Sequence, residues 1–168
     1  MVHASLADGT RVRLRPLQPD DGERLLRLFH RLSPQSVYRR FMSPVVEPSE
    51  EQLARLLQVD HCDREAIAAL EGDEIVAVAR YVRQAGRDVA EVAVVVADDW
   101  QHRGLGRLLL TRLGRLARRR GIRVFDGRIA GENRPALELV RSLSPDIRTR
   151  WSTGEVEFEV PITQPAAR

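Results

Sequence analysis

One stretch constrains this chain more than any other: Glu91-Val-Ala-Val-Val-Val-Ala-Asp-Asp-Trp-Gln101-His-Arg-Gly-Leu-Gly-Arg107. Its opening, Val89 to Ala97, is an almost unbroken apolar run, which suits a strand covered on both faces. Gly104-Leu-Gly106 follows, and then Leu105, Leu108, Leu109, Leu113, Leu116 and Ala117 recur at helical spacing. Gly121 stops that helix in the usual position for a C-terminal glycine. Such a strand needs cover, and the helix supplies it. The segment demands an α/β arrangement.

The flanking segments agree. Val2 to Leu6 and Arg11 to Leu17 read as a hairpin turning at Ala7-Asp8-Gly9-Thr10, with Val12 and Leu14 alternating against Arg11, Arg13 and Arg15. Pro19-Asp20-Asp21 opens a helix with Leu25, Leu26, Phe29 and Leu32 on one face. Ser36 to Met42 is a short helix, and Pro48-Ser49-Glu50-Glu51 starts another carrying Leu53, Leu56 and Leu57. Glu65 to Leu70 and Ile75 to Val82 are strands joined at Glu71-Gly72-Asp73, and Val124 to Ile129 is a further strand. Asn133-Arg134-Pro135 begins a helix through Leu143, ended by Ser144-Pro145. The tail reads as a hairpin in which Ile147, Thr149 and Trp151 face the core with Val156, Phe158 and Val160. Arg148 and Arg150 then pair outward with Glu155, Glu157 and Glu159. Strands and helices do not alternate strictly, so the sheet is expected to be mixed.

Composition narrows the functional classes. The 168 residues suit one domain, residues 1–168 with a core at about 11–160, and 43% hydrophobic residues can build its interior. A single cysteine, Cys62, excludes a disulfide framework and any multi-cysteine zinc site. No apolar run reaches the roughly 18 residues of a spanning helix, and the N-terminus lacks a signal peptide's apolar core. We therefore expect a cytoplasmic protein that engages no membrane. All 27 basic residues are arginine and none is lysine, so a net charge of only +3 is enough to hold the pI near 9.9. That pI is weak ground for nucleic-acid binding, and aromatic residues are only 5%.

The glycine-bearing loop has the chemistry of an anion cradle. Glycines admit close backbone approach, N–H groups at a helix start point outward, and Arg103 and Arg107 add cations suited to phosphate. The spacing is not that of a Walker loop. It is not Gly-x-Gly-x-x-Gly either, because position 109 is leucine.

Gln101-His-Arg-Gly-Leu-Gly106 resembles the acetyl-CoA signature of the GNAT superfamily of N-acetyltransferases, and Glu132-Asn133 with Ala136 and Leu139 resembles that family's second conserved helix. The likeness runs from about Arg11 to Val160. It is closer still to bacterial Pat-type protein-lysine acetyltransferases, on Asp8-Gly-Thr-Arg-Val-Arg-Leu-Arg-Pro16, Leu32-Ser-Pro-Gln-Ser-Val-Tyr-Arg-Arg-Phe41, Val78-Ala-Arg-Tyr81 and Asp98-Asp-Trp-Gln101. The resemblance implies a mixed, mostly antiparallel sheet of about six or seven strands flanked by about four helices. In it the family's fourth and fifth strands splay around acetyl-CoA.

It also implies roles. The backbone from Gln101 through His102, Arg103, Gly104, Leu105 and Gly106 to Arg107 would hold the pyrophosphate. A bulge around Val94, Val95 and Val96 would offer main-chain groups to the pantetheine arm and thioester, and Asn133 would reach the pantetheine from the other side. Many members carry a tyrosine acid after the leucine matching Leu139; here Val140 stands there, leaving solvent or Tyr81 to protonate the thiolate, if protonation is needed at all. Pat-type enzymes have a glutamate at the position of Glu91. A carboxylate entering an apolar strand is a candidate general base, because burial would raise its pKa toward neutrality. The competing reading makes Glu91 a surface acid at the strand's exposed start.

Other features carry plainer readings. His61-Cys62-Asp63 is a loop rather than a nucleophile cluster, and His102 with Asp98-Asp99 is loop solvation rather than a metal site. Arg112, Arg115, Arg118, Arg119, Arg120 and Arg123 form a solvated helix face. Ser33 to Met42 is placed to shape the mouth of an acceptor site. The expected activity is therefore metal-free acetyl transfer from acetyl-CoA to a protein lysine, with an AMP-forming acyl-CoA synthetase as the first candidate partner. A small-molecule amine acceptor, a silent acetyl-CoA sensor and a nucleic-acid-binding module are the alternatives.

Overall fold

The computed structural model describes residues 1–44 and 47–163. An N-terminal hairpin of β1 (Val2–Ser5) and β2 (Arg11–Pro16) leads into α1 (Gly22–His30), α2 (Pro34–Phe41) and α3 (Glu50–Leu57). Then come β3 (Arg64–Glu71), β4 (Glu74–Arg83) and β5 (Val89–Val96), α4 (Leu105–Arg119), β6 (Val124–Ala130) and α5 (Arg134–Arg141). The hairpin β7 (Arg148–Ser152) and β8 (Glu155–Pro161) completes the described elements. The strands form one sheet in the order β1-β2-β3-β4-β5-β6-β8-β7. Every neighbouring pair is antiparallel except β5 with β6, whose parallel pairing follows from the crossover through α4.

The count exceeds the expected six or seven strands and four helices. Residues Val2 to Ser5 add a full edge strand, in register from Val2↔Leu14 to Ser5↔Arg11. The two short helices stay separate because each has its own N-cap: Ser33 caps α2, and Ser49 with Gln52 forms a capping box on α3.

Strand β4 is buried on both faces. On one side α4 contributes the fully buried Leu105, Leu109, Leu113 and Ala117, beside Tyr81 and Phe125. On the other side α1 contributes Leu25, Leu28 and Phe29 over Val78. Each such leucine is worth about 1.5–3 kcal/mol against exposure. Asp21, wholly buried at the start of α1, ties that helix to β2. Arg15 donates to it twice, at 2.6 and 2.7 Å, and the Gln18 N–H donates at 2.8 Å. Burial disfavours its charge, but the Arg15 and Gln18 hydrogen bonds outweigh that and lower its pKa.

The C-terminal hairpin departs from its pattern. All five residues of β7 are exposed, and Trp151 retains 63% of its accessible surface instead of facing the core. β7 is the edge strand of the sheet, paired on one side only, so alternation alone does not bury one face of it. The expected charge pairing holds for Arg150 with Glu157, whereas Glu155 lies 3.8 Å from Arg128 on β6.

Candidate functional site

The parallel ladder between β5 and β6 has three rungs: Val89↔Val124, Ala90↔Phe125 and Glu91↔Asp126. Beyond Glu91 the two strands part, while β5 stays paired with β4 as far as Val96↔Ala77. The main-chain groups of β5 that would have met β6 are left facing a cleft of about 1380 Å³. The expected bulge around Val94 to Val96 is absent, because the β4–β5 register is continuous. Divergence of β6 frees those groups instead.

At one end of the cleft a tight loop connects β5 to α4. Gln101 donates its side-chain amide to Val96 O at 3.1 Å and to Ser36 Oγ at 3.2 Å, while Asp98 accepts from Ser33 N at 3.2 Å. These bonds fasten the start of α2 to the loop. His102 (φ 60°) and Gly104 (φ 82°) both adopt left-handed backbone, which is cheap for glycine and turns the chain into α4. The first bond of the α4 ladder runs from Leu108 N–H to Gly104 O at 3.0 Å, so the N–H groups of Leu105, Gly106 and Arg107 stand free at the positive end of the helix. Gly106 serves a different purpose from Gly104: a Cβ there would come within 3.2 Å of Leu139 Cδ2 and 3.9 Å of Val96 Cγ2.

Glu91, Val94, Val95, Val96, Gln101, His102, Gly104, Leu105, Gly106, Arg107 and Asn133 all line this one cleft. Arg103 does not. Its guanidinium lies 4.9 Å from the Trp100 ring centroid, and its Nε is 3.8 Å from Asp8 in the first hairpin turn. Asn133 is buried and caps α5, its Oδ1 accepting from Ala136 N at 3.3 Å. Val140 lines the cleft beside Leu139. Tyr81 is fully buried away from the cleft and donates to Cys62 O at 2.9 Å. Burial, with Glu65 nearby, pushes its pKa up to about 12, so it is no proton source for a leaving group here.

The other end of the cleft departs from expectation in two ways. Glu91 is exposed, so the apolar wall expected around it is missing. Burial falls instead on residues that sequence patterning did not single out. Asp126, on β6 opposite Glu91, accepts from Gln84 Nε2 at 2.5 Å through Oδ2, and its pKa is raised by burial, with Glu91 and Glu159 adding repulsion. Arg40, on α2, has its pKa pushed down to about 10 by burial and by Arg80, with Glu91 acting in the opposite sense. Ser36, Arg39, Arg40, Phe41 and Met42 form one wall, so Ser33 to Met42 does flank the mouth. A carboxylate at 126 between Phe125 and Gly127 carries no local motif. Only the strand register brings it to Glu91.

Elsewhere, His61 and Cys62 occupy a turn in which Asp60 accepts from the Cys62 and Arg64 N–H groups. Among the described residues no group of three or more His, Cys, Asp or Glu side chains is placed to hold a metal ion. No described helix is long and apolar enough to cross a membrane.

Comparison with known proteins bears on this arrangement. A model described as the acetyltransferase (GNAT) family matches residues 27–143. Acetyltransferase PA5475 of Pseudomonas aeruginosa is 35% identical over 143 residues, covering 83% of this chain and 77% of that protein. Acetyltransferase Pat of Mycolicibacterium smegmatis is 34% identical over 152 residues, covering 89% of this chain but 45% of that protein, so the chain spans about half of it. Among solved structures, the GNAT domain of S. lividans PAT superimposes with a TM-score of 0.89 at 32% identity, covering 95% of this chain and 96% of that one.

Proposed function

Because the chain belongs to the acetyltransferase (GNAT) family, we propose that it transfers the acetyl group of acetyl-CoA to a lysine side chain of a protein, such as an AMP-forming acyl-CoA synthetase. The carrying observation is the single cleft that joins the free N–H groups at the start of α4 to Glu91 where the sheet opens. One end suits a pyrophosphate, and the other suits an amine that must lose a proton.

In this reading the N–H groups of Gly104 to Arg107 hold the pyrophosphate, and the unpaired edge of β5 from Val94 to Val96 aligns the pantetheine and its thioester carbonyl. A main-chain N–H on that edge stabilises the oxyanion as the amine attacks. Glu91 takes a proton from the ammonium and frees the nitrogen lone pair. The C–N bond then forms as the C–S bond breaks, CoA leaves as a thiolate, and the second proton of the acylated nitrogen passes to solvent to leave the neutral amide. Val140 offers no proton and Tyr81 lies elsewhere, so the thiolate departs toward solvent.

Likeness to the two Pat proteins supports a protein acceptor. Intact-mass analysis after incubation with acetyl-CoA and purified acyl-CoA synthetases tests the assignment. The expected result is one added acetyl group on a synthetase lysine, and almost none on the enzyme, which has no lysine. Unmodified synthetases alongside rapid turnover of a polyamine or amino acid would leave only the broader acetyltransferase reading.

A further inference from the structure

Strand register lays Glu91 on β5, Asp126 on β6 and Glu159 on β8 side by side in one row across the sheet. The adjacent rows neutralise themselves, since Glu157 pairs with Arg150 and Glu155 lies against Arg128. In the first row none of the three carboxylates makes an ion pair among the described residues. Arg148 stands opposite Glu159 in register, and Arg40 and Arg87 lie near enough to bias this row electrostatically, yet none of the three closes a bridge to it. Asp126 is the most constrained member. Gln84 fixes its Oδ2, while its Oδ1 is shielded from water and has no hydrogen-bond donor. A shielded carboxylate oxygen without a donor is costly, and a row of like charges adds to that cost. A cation drawn into the cleft that all three carboxylates line would relieve the repulsion along the row.

We propose that Asp126 is the second carboxylate of the amine site, accepting a hydrogen bond from the incoming primary ammonium and holding its nitrogen beside Glu91. The division of labour follows from anchorage. Asp126 is fixed by Gln84 and keeps its hydrogen bond to the nitrogen, whereas the exposed Glu91 is free to take the proton and release it to water. One proton passes from nitrogen to the Glu91 carboxylate, and the lone pair it leaves is the nucleophile. Glu159, next along the row, strengthens the field that draws a cation in and repels anionic acceptors.

This rests on the acetyl-transfer reading, and one experiment separates the two. Steady-state rates are measured with acetyl-CoA and two acceptors, an acyl-CoA synthetase and α-N-acetyl-lysine amide, for the wild type, Asp126→Asn and Asp126→Glu. Acetyl-CoA affinity is measured by calorimetry on the same proteins. Asp126→Asn keeps the shape and the Gln84 bond but loses the charge. The acceptor KM is expected to rise about tenfold, on the scale of one charge-assisted hydrogen bond, with kcat falling far less and acetyl-CoA affinity unchanged. Asp126→Glu should recover part of the loss, which a purely structural role would not give. An unchanged acceptor KM in Asp126→Asn, beside an active wild type, overturns the proposal alone. A wild type that binds acetyl-CoA but acetylates neither acceptor overturns the reading beneath it as well.

Discussion

The two ends of the cleft are built by different means. The end proposed for the pyrophosphate is backbone: the N–H groups of Leu105, Gly106 and Arg107, aimed by one helix start to which the left-handed His102 and Gly104 turn the chain. The end proposed for the amine is side chain: Arg40 from α2, Gln84 after β4, Glu91 from β5, Asp126 from β6 and Glu159 from β8. A site made of contiguous backbone is fixed by local geometry, and it tolerates side-chain change wherever the chain neither turns sharply nor packs closely, as it does at Gly104 and Gly106. A site made of side chains from five places is fixed only by the sheet that carries them. The first is robust and general, the second adjustable and specific.

The sharpest way to separate the ends is Glu91→Gln. It should lower the acetylation rate by about 10²–10⁴-fold with acetyl-CoA affinity nearly unchanged, read by CoA-thiol release and calorimetry. A wild-type rate at neutral pH would make Glu91 the surface acid that its exposure allows. The converse change is Gly106→Asp, which places a carboxylate among the free N–H groups at the start of α4 and a Cβ against Leu139. Acetyl-CoA affinity should fall on the order of 10²-fold or more. Undiminished affinity in calorimetry would move the cradle elsewhere. The smallest effect is expected at the seam between the ends: Val140→Tyr should change turnover by less than about tenfold, or 1.4 kcal/mol of barrier, because a thiolate leaves readily. A larger rise in stopped-flow rate would show that an acid had been missing.

The same contrast explains what could be read from the chain. The strand, the glycine loop and α4 were visible because each is a local pattern: an apolar run, two glycines, and leucines at helical spacing. Glu91 was visible as a charge interrupting such a run. Asp126 and Gln84 were not, because their importance is a matter of register between strands distant in sequence. Arg103 misled for a related reason. Its place in the loop suggested a phosphate ligand, but the Trp100 ring and Asp8 draw it the other way. In the tail, alternation predicts Trp151 in the core, yet β7 is an edge strand whose five residues all stay exposed, so a period of two does not by itself bury a face. Val140 lines the cleft without a hydroxyl, while Tyr81 is fully buried and its hydroxyl donates to Cys62 O outside the cleft, a placement that only the fold decides.

The three-rung ladder between β5 and β6 has a consequence for the energetics of the whole fold. Past Glu91 the sheet is two half-sheets, β1 to β5 and β6 to β8, held together by the crossover through α4 and by apolar contacts rather than by a continuous ladder. An extended ligand with amide groups, lying along β5, would act as an interposed strand and supply the hydrogen bonds the seam lacks. The resistance of β5 amides to solvent exchange would then be a property the substrate lends and product release takes back, so that each turnover is also a brief cycle of tightening and loosening through the middle of the molecule.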